Sequence, residues 1–220
     1  MKLEVIYLNK TIISVDGLSG SGKEKISKYI AKKYNFFHLD SGLLYRRVCL
    51  LIIRNKVNIN NKKEINDFLK SLKSISIRNH ASIRTEKISK KSSQIAKILI
   101  VRKFINKLQK KTVKQILYSR KGCVVDGRDI GSFVFKNAKI KLYVEVKPEI
   151  RAKRRHKQLI EQGEKSIYSR ILKGIILRDK TDKKRKVSPL VVPINAIYFD
   201  NSLDFKNTIS QVNQVLEKKL

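Results

Sequence analysis

From Thr11 onward, short apolar runs alternate with longer stretches in which apolar positions recur every three or four residues. The short runs are rich in Ile and Val, and they predict strands at Thr11–Val15, Phe36–Leu39, Cys123–Asp126, Ile140–Val144 and Ala196–Asp200. The periodic stretches predict helices over Lys23–Tyr34, Gly42–Arg54 and Glu64–Leu72, a long one within Lys91–Arg120, then Pro148–Gln162, Ser166–Asp179 and Phe205–Lys218. Pro148 suits a first helical turn and Gly163 a helix end. Ser74–Ile77 reads as one further short strand. Strand and helix in alternation is the pattern of β-α units, so the fold class is α/β, with a mostly parallel central sheet flanked by helices.

Composition narrows the picture. A chain of 220 residues that is 41% hydrophobic suits one folded domain, with room for a small insertion. The net charge of +33 would ordinarily point to a nucleic-acid partner. Here it is spread along the whole chain, with no Arg-rich tail and no basic stripe interleaved with aromatics. We therefore read it as a drift toward Lys, Ile and Asn, with no specific nucleic-acid site. Cys49 and Cys123 sit in apolar runs without disulfide or metal spacing, as core thiols in a reducing compartment do. The start lacks the succession of a signal peptide and no apolar run reaches transmembrane length, so the expectation is a cytoplasmic monomer without a membrane partner.

Chemistry enters at the predicted strand ends. "GLSGSGK", Gly17 to Lys23, matches G-x-x-x-x-G-K between a predicted strand and a predicted helix. Glycines there let backbone N–H groups converge on phosphate oxygens, and a lysine can reach the β and γ phosphates. The hydroxyl that usually follows the lysine is missing, because Glu24 and Lys25 stand instead. In "LDSGLLYRR", Arg46 can pair with a phosphate and Ser41 supplies a hydroxyl; taken alone, the stretch is equally a helix start capped by Asp40 or Ser41. "VVDGRDIGS" places Asp126 where a strand-end aspartate acts on metal-bound water, followed by Arg128 and Asp129. On helices, Arg151, Arg154 and Arg155 share one face, and so do Arg178, Asp182 and Arg185. A solvated, salt-bridged face would explain the helical clusters if the phosphate loop were absent.

In this order the motifs resemble those of the bacterial cytidylate kinases, within the nucleoside monophosphate kinase group. The resemblance runs through "GLSGSGK", "DSGLLYR", "SSQIA" at Ser92–Ala96, "VR" at Val101–Arg102, "DGRDIG", "RAKRRHKQL", "RDKTD" and "SPL", nearly the whole chain. It implies a P-loop kinase: a core over about residues 11–65 and 96–220, a shortened nucleoside-monophosphate-binding insert over about 66–95, and an Arg-rich lid over about 154–188. The implied reaction moves the γ-phosphoryl group of ATP, accompanied by Mg²⁺, to CMP or dCMP. Carried over residue by residue, ATP would meet Gly17, Leu18, Ser19, Gly20, Ser21, Gly22, Lys23, Glu24 and Lys25, with Arg154 and Arg155 from the lid. Arg46 and Arg128 would hold the acceptor phosphate; Ser41, Arg102, Asp129 and Arg185 would contact cytosine; Ser93, Arg178 and Asp182 would contact the ribose. Lys23, Arg128, Arg178 and Arg185 form the implied catalytic group, and Asp126 reaches the metal through water.

Three features depart from the family pattern. The loop hydroxyl is absent, the insert between Asn66 and Ile95 is short, and "LIVR" replaces a proline-bearing "PxVR". The short insert implies a small sheet reduced to a hairpin or lost. A helix continuous past the missing proline would put Ser93 and Arg102, nine residues apart, on opposite faces. The alternatives are a nucleotide-binding relic with non-specific nucleic-acid affinity, or a related kinase acting on UMP or AMP. His38, His80 and His156 have no metal or triad spacing.

Overall fold

The computed structural model describes residues 10–72, 75–77, 83 and 85–220. Its strands are β1 (Thr11–Gly17), β2 (Phe37–Asp40), β3 (Gly122–Gly127), β4 (Ile140–Glu145) and β5 (Ile197–Asp200). They form one parallel sheet in the order β2-β3-β1-β4-β5. The helices are α1 (Lys23–Lys33), α2 (Ser41–Arg54), α3 (Lys62–Ser71), α4 (Glu86–Ile95), α5 (Leu99–Ser119), α6 (Pro148–Glu161), α7 (Tyr168–Lys184) and α8 (Phe205–Lys219). The expected strand at Ser74–Ile77 is absent where it can be seen: Ile75–Ile77 lie in no strand, and Ser74 lies outside the described residues.

The central strands β1, β3 and β4 bury apolar residues on both faces. In β3, Val124 packs with Ile13, Val15, Leu142 and Val144 under α1 and α8, while Cys123 and Val125 point into the opposite layer with α2, α3, α4 and α5. A strand buried on both faces has no polar alternation, which is why "GCVV" reads as a continuous run. Burial in that layer pushes the Cys123 thiol up to about 12, in keeping with a packing role.

The long helix expected within Lys91–Arg120 is α5, and the chain breaks just before it, so that α4 and α5 are separate helices. The physical reason is Arg102. Its Nε and Nη2 donate to the Ala96 carbonyl at 3.1 and 2.9 Å, taking an acceptor that a continuous helix would have used for itself. Lys97 and Ile98 bond back to Gln94 and Ile95 in a tightened last turn, and Ile98 is extended. At the end of α6, Gly163 adopts a left-handed conformation, with Gly163 N–H donating to Ile160 and Glu164 N–H to Leu159. The stop at Gly163 is thus a left-handed glycine cap.

All five strands end at the same edge with a carboxylate, Asp16, Asp40, Asp126, Glu145 or Asp200, within one residue of the strand terminus. From β1 the chain crosses past β3 to β2, whereas from β4 it moves to β5 on the other side. Connections that diverge in this way leave a crevice at the carboxyl edge of the sheet.

A buried arginine holds the crevice's two walls together. Arg151 on α6 is 2% exposed; Nε donates to Val146 O at 2.9 Å and Nη1 to Ser19 O at 3.0 Å. It also pairs through both terminal nitrogens with the Asp179 carboxylate on α7. Removing one member of a buried pair strands the other, whereas removing both does not. Arg151→Met is therefore expected to cost about 3 kcal/mol or more in urea unfolding, and Arg151→Met combined with Asp179→Leu to recover most of it. A single-variant loss under about 1 kcal/mol would show that the clamp contributes little.

Candidate active site

At the carboxyl edge of the sheet lies a cleft of about 630 Å³. Its donor wall is the loop after β1, and two glycines shape that loop. A Cβ on Gly17 would stand 2.2 Å from the Val144 carbonyl oxygen. Gly22 has φ of +85°, and a Cβ there would stand 2.4 Å from Asn201 Nδ2, which itself donates to Ser21 O at 2.9 Å. Lys23 opens α1 and turns its Nζ back to the Leu18 carbonyl at 3.0 Å. Burial, and then the charge of Arg128, lower its pKa to about 8.

The two residues that replace the expected hydroxyl lie at the cleft wall in different company. Glu24 pairs with Lys28 at 2.7 Å one turn further along α1. Lys25 places its ammonium 4.0 Å over the Phe205 ring of α8. Neither side chain reproduces a hydroxyl against the loop.

On the acceptor side the arginines and aspartates form one alternating chain of charges. Arg102 Nη1 donates to Asp129 Oδ2 at 2.6 Å, and Arg185 Nη2 lies 3.6 Å from Asp129 Oδ1. Arg185 Nη1 lies 3.7 Å from Asp182 Oδ1, and Arg128 Nε is 2.7 Å from Asp182 Oδ2. Arg46 and Arg178 converge on the Ser89 hydroxyl of α4, at 3.4 and 3.5 Å. Burial, and then Arg128, lower Arg178 to about 10, and burial also lowers Arg185. These are depressions expected of cations kept out of water and close to one another.

Ser93 and Arg102 both line this cleft, and the chain breaks between them at Ala96–Ile98. Of the sequence-predicted residues, Ser19, Gly20, Gly22, Lys23, Glu24 and Lys25 line it on one side. Ser41, Arg46, Ser93, Arg102, Asp126, Arg128, Asp129, Arg178, Asp182 and Arg185 line the rest. Gly17, Leu18 and Ser21 support the loop from behind, Leu18 packing against Tyr143 and Leu190. Arg154 and Arg155 are not among its lining residues: Arg154 donates to Asn201 O at 2.9 Å, and Arg155 at 2.9 Å to Oε1 of Gln158, which does line it.

A family model described as cytidylate kinase matches residues 13–219. The chain belongs to the cytidylate kinase family. Curated proteins named cytidylate kinase from Fusobacterium nucleatum and Rickettsia bellii are each 35% identical to it. Those alignments cover 96% of this chain and 99% of the first relative, and 97% and 95% for the second. A Thermosipho melanesiensis cytidylate kinase is 36% identical over 94% of this chain and 97% of its own. Among solved structures, TT1252 from Thermus thermophilus superposes with a TM-score of 0.53, covering 96% of this chain and 98% of that one. At 13% identity, that is a likeness of fold.

Two residues that sequence reasoning passed over shape this cleft. Asp16, wholly buried at the end of β1, accepts from the backbone N–H groups of Ile130 and Gly131, both at 2.7 Å. It thereby pins the turn that carries Arg128 and Asp129. Burial raises its pKa to about 7, against the pull of the two amides. His38 on β2 lies 2.7 Å from Asp126 Oδ1, although its spacing suggested no role. His156 meets the Ser166 hydroxyl at 2.8 Å, and His80 lies outside the described residues. A period-2 strand pattern gives no hint of either contact, because both cross between strands or loops far apart in sequence.

The depressed lysine has a measurable consequence. With burial lowering its pKa toward about 8, Lys23 holds its proton less firmly in the free protein, and a triphosphate beside it would restore its charge. Binding ATP at pH 8 is therefore expected to be accompanied by proton uptake, read by calorimetry in buffers of different ionisation heat. Proton release, or none, would contradict the assignment of Lys23 to the donor phosphates.

Proposed function

We propose that this protein transfers the γ-phosphoryl group of ATP to CMP or dCMP, giving ADP and the corresponding diphosphate. The observation that carries this reading is the Asp129 carboxylate, held between Arg102 and Arg185 in a cleft whose other wall is a phosphate-binding loop. A carboxylate accepts from the exocyclic amine of cytosine, a donor that uracil lacks. The single chain supplies both walls of the cleft, so it is proposed to act as a monomer.

Roles follow from charge and position. Backbone N–H groups of Gly17–Lys23 cradle the donor phosphates, and Lys23 swings from the Leu18 carbonyl onto them. Arg46 and Arg128 hold the acceptor phosphate, with Arg178 and Arg185 neutralising charge as the γ-phosphoryl group crosses. Ser41, Arg102, Asp129 and Arg185 face the base, and Ser93, Arg178 and Asp182 the ribose. Arg154 and Arg155 belong to the lid over about 154–188, and engage ATP only if that lid moves from its present contacts. Phosphoryl transfer needs positioning and charge neutralisation more than acid-base groups, which an arginine-lined cleft supplies.

Mg²⁺ is proposed to accompany ATP. Asp40 and Asp126 sit side by side in register on β2 and β3. Burial raises Asp40, and the nearby charges of Asp126 and Glu24 raise it further. A divalent cation would relieve that crowding. Among the described residues no cluster of three or more His, Cys, Asp or Glu could hold a metal alone. This suits an ion that keeps its waters and takes most ligands from phosphate. Asp126 would hold such an ion through water, and the ion would offset charge on the β and γ phosphates.

Two experiments test this function. Turnover across CMP, dCMP, UMP and AMP is expected to favour the cytosine nucleotides, and Asp129→Asn to lower discrimination between CMP and UMP by about 1–3 kcal/mol. Equal turnover of CMP and UMP by the unaltered protein would refute it. Glu24→Ser with Lys25→Thr restores the hydroxyls, and is expected to raise turnover at limiting Mg²⁺ more than it changes ATP affinity. A fall in turnover with weakened Mg²⁺ dependence would show instead that Glu24 or Lys25 is part of the working site.

A further inference from the structure

We propose that His38 is a positioning residue for the metal that accompanies ATP: its ring N–H holds one oxygen of Asp126, so that the carboxylate is kept aimed at the cleft. The inference rests on the proposed role of Asp126 and adds the group that orients it. Leu39 on β2 packs into the layer of α2 and α5, so His38 and Asp40, one residue to either side, point to the opposite face of the sheet. Val124 and Asp126 of β3 share that face and stand in register with them. His38 Nε2 lies 2.7 Å from Asp126 Oδ1. An ionised carboxylate only accepts, so the proton of this contact sits on Nε2.

The two side chains are placed differently with respect to the cleft. Asp126 lines it and keeps 5% of its side chain exposed there, whereas His38 is not among the lining residues and supports Asp126 from behind. Among the described residues no other hydrogen bond or ion pair engages Asp126. Two forces act to turn it. Asp40 stands in register beside it and repels it, and the buried ammonium of Lys23 lies within reach of its charge. A carboxylate that swung to Lys23 would compete for the cation meant for the donor phosphates. The imidazole holds Asp126 against both, as a hydrogen-bonded partner behind a metal-directed carboxylate does.

His38→Leu removes the donor, and His38→Gln restores an N–H at similar reach. ATP affinity would be measured by calorimetry with Mg²⁺ and with a chelator, and the ratio of the two taken for each protein. His38→Leu is expected to lower that ratio about tenfold, with metal-free affinity unchanged, and His38→Gln to recover most of it. In an Asp126→Ala background, His38→Leu is expected to change the ratio no further, because its effect passes through that carboxylate. Equal weakening with and without Mg²⁺, an unchanged ratio, or a full further loss on top of Asp126→Ala would each overturn the inference. Should His38→Leu fail to fold, His38→Asn, whose amide falls short of Asp126, takes its place under the same expectations. If Asp126→Ala alone leaves the ratio unchanged, the metal role of Asp126 falls and takes this inference with it, and that single variant tells this outcome from the others.

Discussion

Guanidinium groups do not gather of their own accord. Each carries a full charge that burial penalises, and each repels its neighbours, so a cleft lined by Arg46, Arg102, Arg128, Arg178 and Arg185 is stable only if carboxylates are threaded among them. Asp129 and Asp182 are those threads. Each lies between two arginines, and the resulting chain joins α5, the turn after β3 and α7. The Asp129 carboxylate, which we propose as the acceptor for a base, also makes it possible for the cations beside it to be there.

The geometry around that chain is set by two clamps that act on backbone. Arg151 ties the Ser19 carbonyl of the phosphate-binding loop to α7 through Asp179. Asp16, at the root of the same loop, ties the Ile130–Gly131 amides of the acceptor-side turn. The donor loop is thereby linked to both acceptor-side elements by single buried side chains. Backbone groups are good anchor points because their positions are set by the sheet and not by rotamer choice.

Much of this was legible in the sequence, for reasons that differ by element. The three central strands were visible because parallel strands buried on both faces leave uninterrupted apolar runs, as in "GCVV" and "KLYVE". The loop at Gly17–Lys23 was legible because glycines are required where φ is positive and backbone approaches backbone. The convergence of Arg46, Asp129 and Asp182 was legible through motif order. What was hidden depends on contacts across the fold. The break between α4 and α5 has no glycine or proline to announce it, since a side chain six residues downstream makes it. Asp16 looked like a strand end, and Arg151 like one arginine of a helical face.

The role of Arg102 as the group that ends α4 limits how this protein can change its preferences. Its guanidinium spends two nitrogens on the chain's own carbonyl and the third on Asp129. A substitution there would not retune one contact. It would also return the Ala96 carbonyl to the helix, and with it the possibility of a straight run that carries Ser93 away from the cleft. Selection for a new acceptor would therefore find position 102 closed to small steps and would have to proceed through its neighbours, leaving the helix break as an inherited boundary on the substrates this lineage can explore.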